Sequence, residues 1–281
     1  MSSDPAVEPR PSSREAFELH LPRNAFGPRE IARAGDVWRL FQDAAVIGSS
    51  RRGWPPTRYR DEACAFIVRS MVVVHRGPTA FGDRLAVSTW VSSFKREMMS
   101  DRQIRVEGPS GPVAAATQRW VHVALPNLKP SRAAPSLVRA FGVVQPEGEA
   151  DVTLPEHVAV AEAEEHGFTF RAWHTWMDPL AHGNHPAYVD WADEALANHA
   201  VARGVDPQGL VPVAEEMTWR SGVVAPEEVT LRGRPVGRAG DAVVFTYRTT
   251  GADGRVCAEG TTVRRHRDLD LADHLLGPAN G

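Results

Sequence analysis

From Phe17 the chain alternates apolar and polar residues (FELHLPR), a period of two that predicts a short strand closed by Gly27-Pro28. Val37, Trp38, Leu40, Phe41, Ala44 and Ala45 then recur at helical spacing, and Gly48, Ser49, Ser50 and Gly53 end the helix. The pattern turns β in character at AFIVRSMVVVHR, continues through DRLAVSTWVSSF and MSDRQIRVEG, and finishes with GPVAAATQRWVHVAL. Gly108-Pro-Ser-Gly111 marks a turn within this four-strand meander. The second half repeats the order. HGFTFRAWH (166–174) reads as a strand, and a turn rich in Gly, Asn and Pro leads to a helix with Tyr188, Trp191, Ala195 and Leu196 on one face. After Gly204 come LVPVAEEMTWR, EEVTLRGRPV, DAVVFTYRTT and RVCAEGTTVRRH, with hairpin signals at Gly240-Asp241 and Gly251-Ala-Asp-Gly254.

Sliding the halves by about 150 residues places DVWRLFQDAA over HPAYVDWADEA, with Trp38 on Tyr188, Phe41 on Trp191 and Asp43 on Asp193. The shared order predicts an α+β fold of two tandem units, each a helix wrapped by a curved antiparallel sheet. One such unit leaves a sheet edge and an open side, and pairing two units joins the sheets and covers the edge. The alternative is an α+β chain in which two amphipathic helices match by chance. The expected boundaries are a disordered arm at 1–16, units at 17–126 and 166–267, a linker with a short helix at 127–165, and a tail at 268–281.

Composition narrows the function classes. With 281 residues and 42% hydrophobic content the chain holds a real core. A formal charge of −3 with no dominant basic run argues against duplex nucleic acid as a partner. Cys64 and Cys257 lie far apart, in apolar and strand-like surroundings, and read as reduced buried thiols. No segment reaches the apolar length of a membrane span, and the polar, Pro- and Ser-rich start does not resemble a signal peptide. The expected compartment is the cytoplasm.

Asp178-Pro-Leu-Ala-His182-Gly-Asn184-His-Pro-Ala-Tyr188-Val-Asp-Trp191 resembles the D-x-x-x-H-V-N-N-x-x-Y-x-x-W stretch of hotdog acyl thioesterases. VRSMVVVHRGPTAFGDRLAVSTWVSSFKREMMSDRQIRV and QRWVHVALPNLKPSRAAPSLVRAF are similar to the first half of the plant-type acyl-acyl-carrier-protein thioesterases. The resemblance covers residues 17–265 and implies a double-hotdog fold acting on acyl groups carried as thioesters on acyl-carrier protein or CoA, in fatty acid or polyketide biosynthesis. It implies no cofactor and no metal, and leaves a homodimer open. The family's catalytic Asp and His fall on Asp178 and His182. Its Asn falls on Leu180 and its Glu near Arg220, so two polar groups of the pattern are replaced. Glu216 shares a strand face with Arg220 but stands about 13 Å from it at ~3.3 Å per residue.

The chemistry of these residue types agrees with that assignment. Helix N-termini present unpaired N–H groups and partial positive charge, so the amides of Gly183 and Asn184 are candidate oxyanion donors. Asp178 is a candidate general base or nucleophile, His182 a group that holds the water or polarises the carbonyl, and Asn184 a substrate ligand or a brace for the loop. Each has a plainer reading: Asp178 as a turn residue, His182 and His185 as solvated loop residues, and Glu194 and Asp193 as ordinary helix acids. HxxH on a turn is too weak to argue for zinc. Arg220 either clamps a substrate anion, pairs with Asp178, or faces outward. Arg51, Arg52, Arg58 and Arg60 form a candidate landing patch for an acidic carrier or a CoA phosphate. Pro28–Ala32 stands in the first half where Asp178–His182 stands in the second, so one site per chain is expected. Trp38, Phe41, Trp90, Tyr188 and Trp191 are candidate walls of the acyl tunnel, with core packing as the alternative. The replaced polar groups leave two further functions open: a dehydratase, isomerase, cyclase or carbon–carbon bond-forming enzyme on the same thioester, and a non-catalytic acyl-binding protein.

Overall fold

A computed structural model describes residues 14–144, 152–160 and 163–276. The first half begins with β1 (Glu15–Leu19), α1 (Ala34–Arg51) and a short α2 (Pro56–Asp61). Four long strands follow: β2 (Cys64–His75), β3 (Leu85–Lys95), β4 (Met99–Gly108) and β5 (Gly111–Ala124). The connection carries β6 (Lys129–Pro130), α3 (Pro135–Phe141) and β7 (Val158–Ala159). The second half repeats the order with β8 (His166–Arg171), α4 (His185–Ala202), β9 (Leu210–Trp219), β10 (Glu228–Ala239), β11 (Ala242–Gly251) and β12 (Val256–His266), then α5 (Leu271–Leu276).

The strands form one 12-stranded sheet. Its first half runs β1-β3-β4-β5-β2 and its second β9-β12-β11-β10, with β8 and β7 both beside β10. The halves meet where β2 pairs antiparallel with β9, and Met71 faces Met217 across this seam, both fully buried. Each half wraps its own long helix, and one continuous core holds residues of both. This is the double-hotdog arrangement expected from the repeat.

Three details differ from the sequence reading. The helices superpose at an offset of 151, Ala34 on His185, rather than 150. Every buried position of α1 from Gly35 to Gly48 then falls on a buried position of α4. Trp38 therefore matches Val189, because burial periodicity rather than aromatic type sets the register. The Trp54–Pro56 region starts a helix, since Pro is favoured in a helix's first turn. The expected tail begins with α5, whose Leu271, Ala272 and Leu275 are buried. Residues 1–13 of the expected arm, 145–151 and 161–162 of the linker, and 277–281 of the tail lie outside the described residues. Arg14 leads into β1, and Glu15 and Ala16 belong to it.

A buried polar cluster ties the halves together beneath the helices. Glu215 of β9 is fully buried and accepts hydrogen bonds from Trp38 Nε1 of α1 (2.9 Å) and from Arg264 of β12. His75 of β2 lies 2.9 Å from its carboxylate. Arg264 also pairs with Asp193 of α4 at 2.7 Å. Burial opposes the Glu215 charge, yet His75 and Arg264 outweigh it and bring its pKa down to about 2.

Candidate active site

The same backbone device precedes both long helices. In the first half a 3₁₀ turn (Arg23–Ala25) is followed by a bridge between Phe26 and Ala32. In the second, His174–Trp176 is followed by a bridge between Met177 and Gly183. Glu30 and Ala181 occupy the same place in their loops, and both have positive φ (58° and 61°). The side chains differ where chemistry is concerned. Gly27 stands where Asp178 stands, and Ile31 where His182 stands. The polar pair is therefore present in one half only, as expected.

Asp178 is half-buried, and its Oδ1 accepts the amides of Leu180 (2.8 Å) and His182 (3.2 Å). This is an Asx turn, so the turn role and a chemical role fall on the same carboxylate. The loop is pinned from behind by aromatic packing, Trp176 standing 5.4 Å from Trp191 and Trp191 4.5 Å from Tyr188. It is also pinned to the segment after β9. The Gly183 amide donates to Val223 O (2.7 Å), and the Val223 amide donates to the Tyr188 hydroxyl (3.0 Å). Gly222 leaves room for His182, because a Cβ there would overlap the imidazole. Gly222→Ala is accordingly expected to displace His182 and lower kcat by roughly 10²-fold. Thermal melting should change little, which steady-state kinetics beside a melting curve will check.

These bonds correct the expected oxyanion donors. The Gly183 amide is taken by Val223 O and the Asn184 amide by Trp176 O (2.8 Å). A Cβ on Gly183 would also meet Tyr188 and Trp191 rather than open space. The first amide of α4, that of His185, has no hydrogen-bond partner among the described residues. The Asn184 side chain braces the loop. It exchanges two hydrogen bonds with Gln42 of α1, at 2.9 and 3.0 Å, and so locks the two helices together at the site. Arg39 of α1 pairs with Asp190 of α4 nearby.

Asp178, His182, Gly183, His185 and Tyr188 line one end of a cavity of about 840 Å³ that continues into the first half. There it passes Trp54, Phe66 and Phe141, supplied by the start of α2, by β2 and by α3. Of the expected tunnel walls only Tyr188 lines it. Trp38, Phe41, Trp90 and Trp191 are buried in the core, Trp38 being committed to Glu215. The helices turn their apolar faces to the sheet, and the cavity lies beside them. Cys64 also faces the cavity, but burial raises its thiol pKa, as it does that of Cys257. Neither thiol is therefore set up as a nucleophile.

His185 is held between Trp38 and Trp219, its Nε2 enclosed and without a partner among the described residues. Burial drives its pKa down to about 3, so the ring is neutral throughout the physiological range. Arg220 lines the cavity but does not pair with Asp178. Its guanidinium is held by Glu259 at 3.1 Å, and Arg248 shares the same carboxylate at 2.8 Å. Glu216 points into a separate surface cleft with Arg220, while the adjacent Glu215 points inward. Glu194 is exposed, and Asp193 is engaged by Arg264. The basic patch also narrows. Arg52 is bound to Glu15 (2.6 Å) and Arg51 to Ala16 O (2.8 Å). Arg60 stands at the cavity and Arg58 lies 4.0 Å over the Trp54 ring. Among the described residues, no three His, Cys, Asp or Glu side chains are placed to hold a metal ion, and no helix is long and apolar enough to cross a membrane.

No family model and no curated protein matches the sequence. Solved structures do match. An acyl-ACP thioesterase from Bacteroides thetaiotaomicron is 14% identical with a TM-score of 0.70, over 90% of this chain and 98% of that one. The 12:0-ACP thioesterase from Umbellularia californica is 13% identical with a TM-score of 0.71, over 91% and 98%. A Lactobacillus plantarum protein described as an oleoyl thioesterase is 15% identical with a TM-score of 0.74, over 90% and 96%. The fold is the double hotdog. Both halves of the double hotdog are thus matched, with nearly the whole of each neighbour covered.

Proposed function

We propose that this double-hotdog chain hydrolyses an acyl thioester, carried on acyl-carrier protein or CoA, to a carboxylic acid and a free thiol. The observation that carries this reading is the position of Asp178 and His182, on a braced loop at the start of α4, at one end of a largely apolar cavity. With Oδ1 held by two loop amides, the other Asp178 oxygen is oriented to take a proton from water. The water oxygen bonds to the thioester carbonyl carbon, and charge collects on the carbonyl oxygen. The His185 amide, where the dipole of α4 adds to its pull, is the donor assigned to that oxyanion, a contribution of about 3 kcal/mol. Collapse breaks the carbon–sulfur bond, and the proton held by Asp178 passes to the departing thiolate. His182 orients the water, and the neutral His185 ring adds a polar wall without charge.

The salt bridge from Arg220 to Glu259 supports hydrolysis over a silenced, merely binding site, since it leaves Asp178 without a cationic partner among the described residues. Arg60 offers a cationic group at the cavity for a carrier's acidic surface or the phosphate of its pantetheine arm, while Arg58 is paired with Glu62 at 3.5 Å. An acyl group from fatty acid or polyketide assembly fits the cavity's character, and two free buried thiols suit a reducing compartment such as the cytoplasm. The test is release of free thiol from a panel of acyl-carrier-protein and acyl-CoA thioesters. Turnover of any member supports the reading; acyl groups bound or rearranged without thiol release oppose it.

A further inference from the structure

Beyond the Asp178 loop the cavity is not wholly apolar, since Ser49, Ser100 and Arg102 also line it. Arg102 of β4 shares strand parity with Ile104 and Val106, and like them is buried on the core face, at 7% exposure. It also lines the cavity. Its guanidinium donates to Thr89 Oγ1 and Ser49 Oγ, both at 3.2 Å, and lies 5.3 Å from the centre of the Phe141 ring. Among the described residues it has no carboxylate partner and no further acceptor. The other buried arginine among the described residues, Arg264, has two carboxylates. The contrast matters because a buried charge without a counterion is costly unless something else compensates it.

The surroundings are shaped for this guanidinium. A Cβ on Gly48 would come within 3.1 Å of Arg102 Nη1 and 2.6 Å of the Thr89 methyl, so α1 is notched where the arginine reaches it. Ser49, Tyr59 and Ser100 bring hydroxyls to the same cavity, and Tyr59 interacts with Ser49. Burial lowers the Arg102 pKa to about 10, which still leaves it charged at neutral pH. A straight hydrocarbon tail would leave this charge unpaired, whereas a carboxylate would accept from it in a bidentate pair.

We propose that the cavity's inner end is a carboxylate site formed by Arg102 with Ser49 and Tyr59, and that the preferred acyl group carries a carboxylate remote from its thioester. This deepens the proposed thioesterase reading and rests on it for the thioester end alone. The test compares suberoyl-CoA with octanoyl-CoA, matched in length, together with calorimetric binding of free suberate and octanoate. The wild-type protein should favour the dicarboxylic member by about tenfold or more in kcat/KM and in affinity. Arg102→Met should shift both ratios toward the monocarboxylic member by a similar factor, and Arg102→Lys should fall between. Arg102→Met should also melt no lower than wild type without ligand, because it removes an uncompensated charge at similar volume. An equal or reversed preference in the wild type, or a preference unmoved in both variants, overturns the carboxylate site and leaves hydrolysis standing. Arg102-dependent suberate binding without cleavage of either thioester supports the site and removes the hydrolytic reading. Binding of neither acid with cleavage of neither thioester overturns both.

Discussion

Exchanging Asp178 for Asn is expected to lower kcat by roughly 10²- to 10⁴-fold, the range of a lost general base. The substitution separates the two duties of this residue. An Asn side-chain oxygen can still accept from the Leu180 and His182 amides, so the Asx turn and the path of the loop survive. What disappears is the charge proposed to take a proton from water. KM should stay within a few-fold, because the cavity walls proposed to hold the acyl chain are untouched. Asp178→Ala removes the turn as well, and should lower both kcat and the melting temperature. If Asp178→Asn turns over as wild type does while Asp178→Ala is inactive, the residue acts only through the turn. Steady-state thiol release and a melting curve on each variant decide between these roles.

The second large effect concerns stability. Glu215→Ala is expected to cost about 3–5 kcal/mol, because it leaves His75 and the Trp38 N–H without their acceptor in the core and Arg264 with one carboxylate, Asp193, in place of two. For a domain of this size that corresponds to a fall in melting temperature of about 10 °C. The cluster spans α1, β2, β9 and β12, so its loss should loosen the seam between the halves rather than one edge. It also predicts an acid dependence. The folded-state pKa of about 2 lies below the ordinary carboxylate value of 4.5, so the stabilisation is complete above that value. It is lost as pH falls from about 4.5 towards 2, and the Glu215→Ala protein should lack this component of the acid transition. Urea unfolding at stepped pH values, with wild type and variant compared, measures it.

How far the sequence foretold this arrangement depended on what each feature leaves in the pattern. Strand alternation placed β4 at the residues it occupies, because Ser100 to Val106 alternate between a buried and a more open row, and the Gly108–Gly111 turn placed β5 within one residue. The Asp178–His182 loop was legible by resemblance and by its place before an amphipathic helix. Its amides were not: the bonds that occupy Gly183 and Asn184 come from Val223, distant in the sequence, and from Trp176 of a 3₁₀ turn. The tunnel walls were misplaced for a related reason. Trp38, Phe41 and Trp191 have the helical spacing that marks a face packed on the sheet, whereas the cavity is lined by another side of α1 and, for much of its wall, by α2, Phe141 of α3 and the start of β2. Those short elements carry little periodicity. Gln42 gave no sign of its pairing with Asn184. Arg102 did leave one, being a charged residue on the same parity as Ile104 and Val106. Glu215 was hidden by its neighbour, since adjacent glutamates fit either strand face.

Hydrolysis itself is tested most directly by turnover of an acyl-carrier-protein thioester in ¹⁸O-water, with mass spectrometry of the released product. Expected is a free acid carrying one labelled oxygen for each thiol set free, with both lost in Asp178→Asn. A cyclised, dehydrated or transferred acyl product without label, or an acyl group that stays on its carrier, would contradict it.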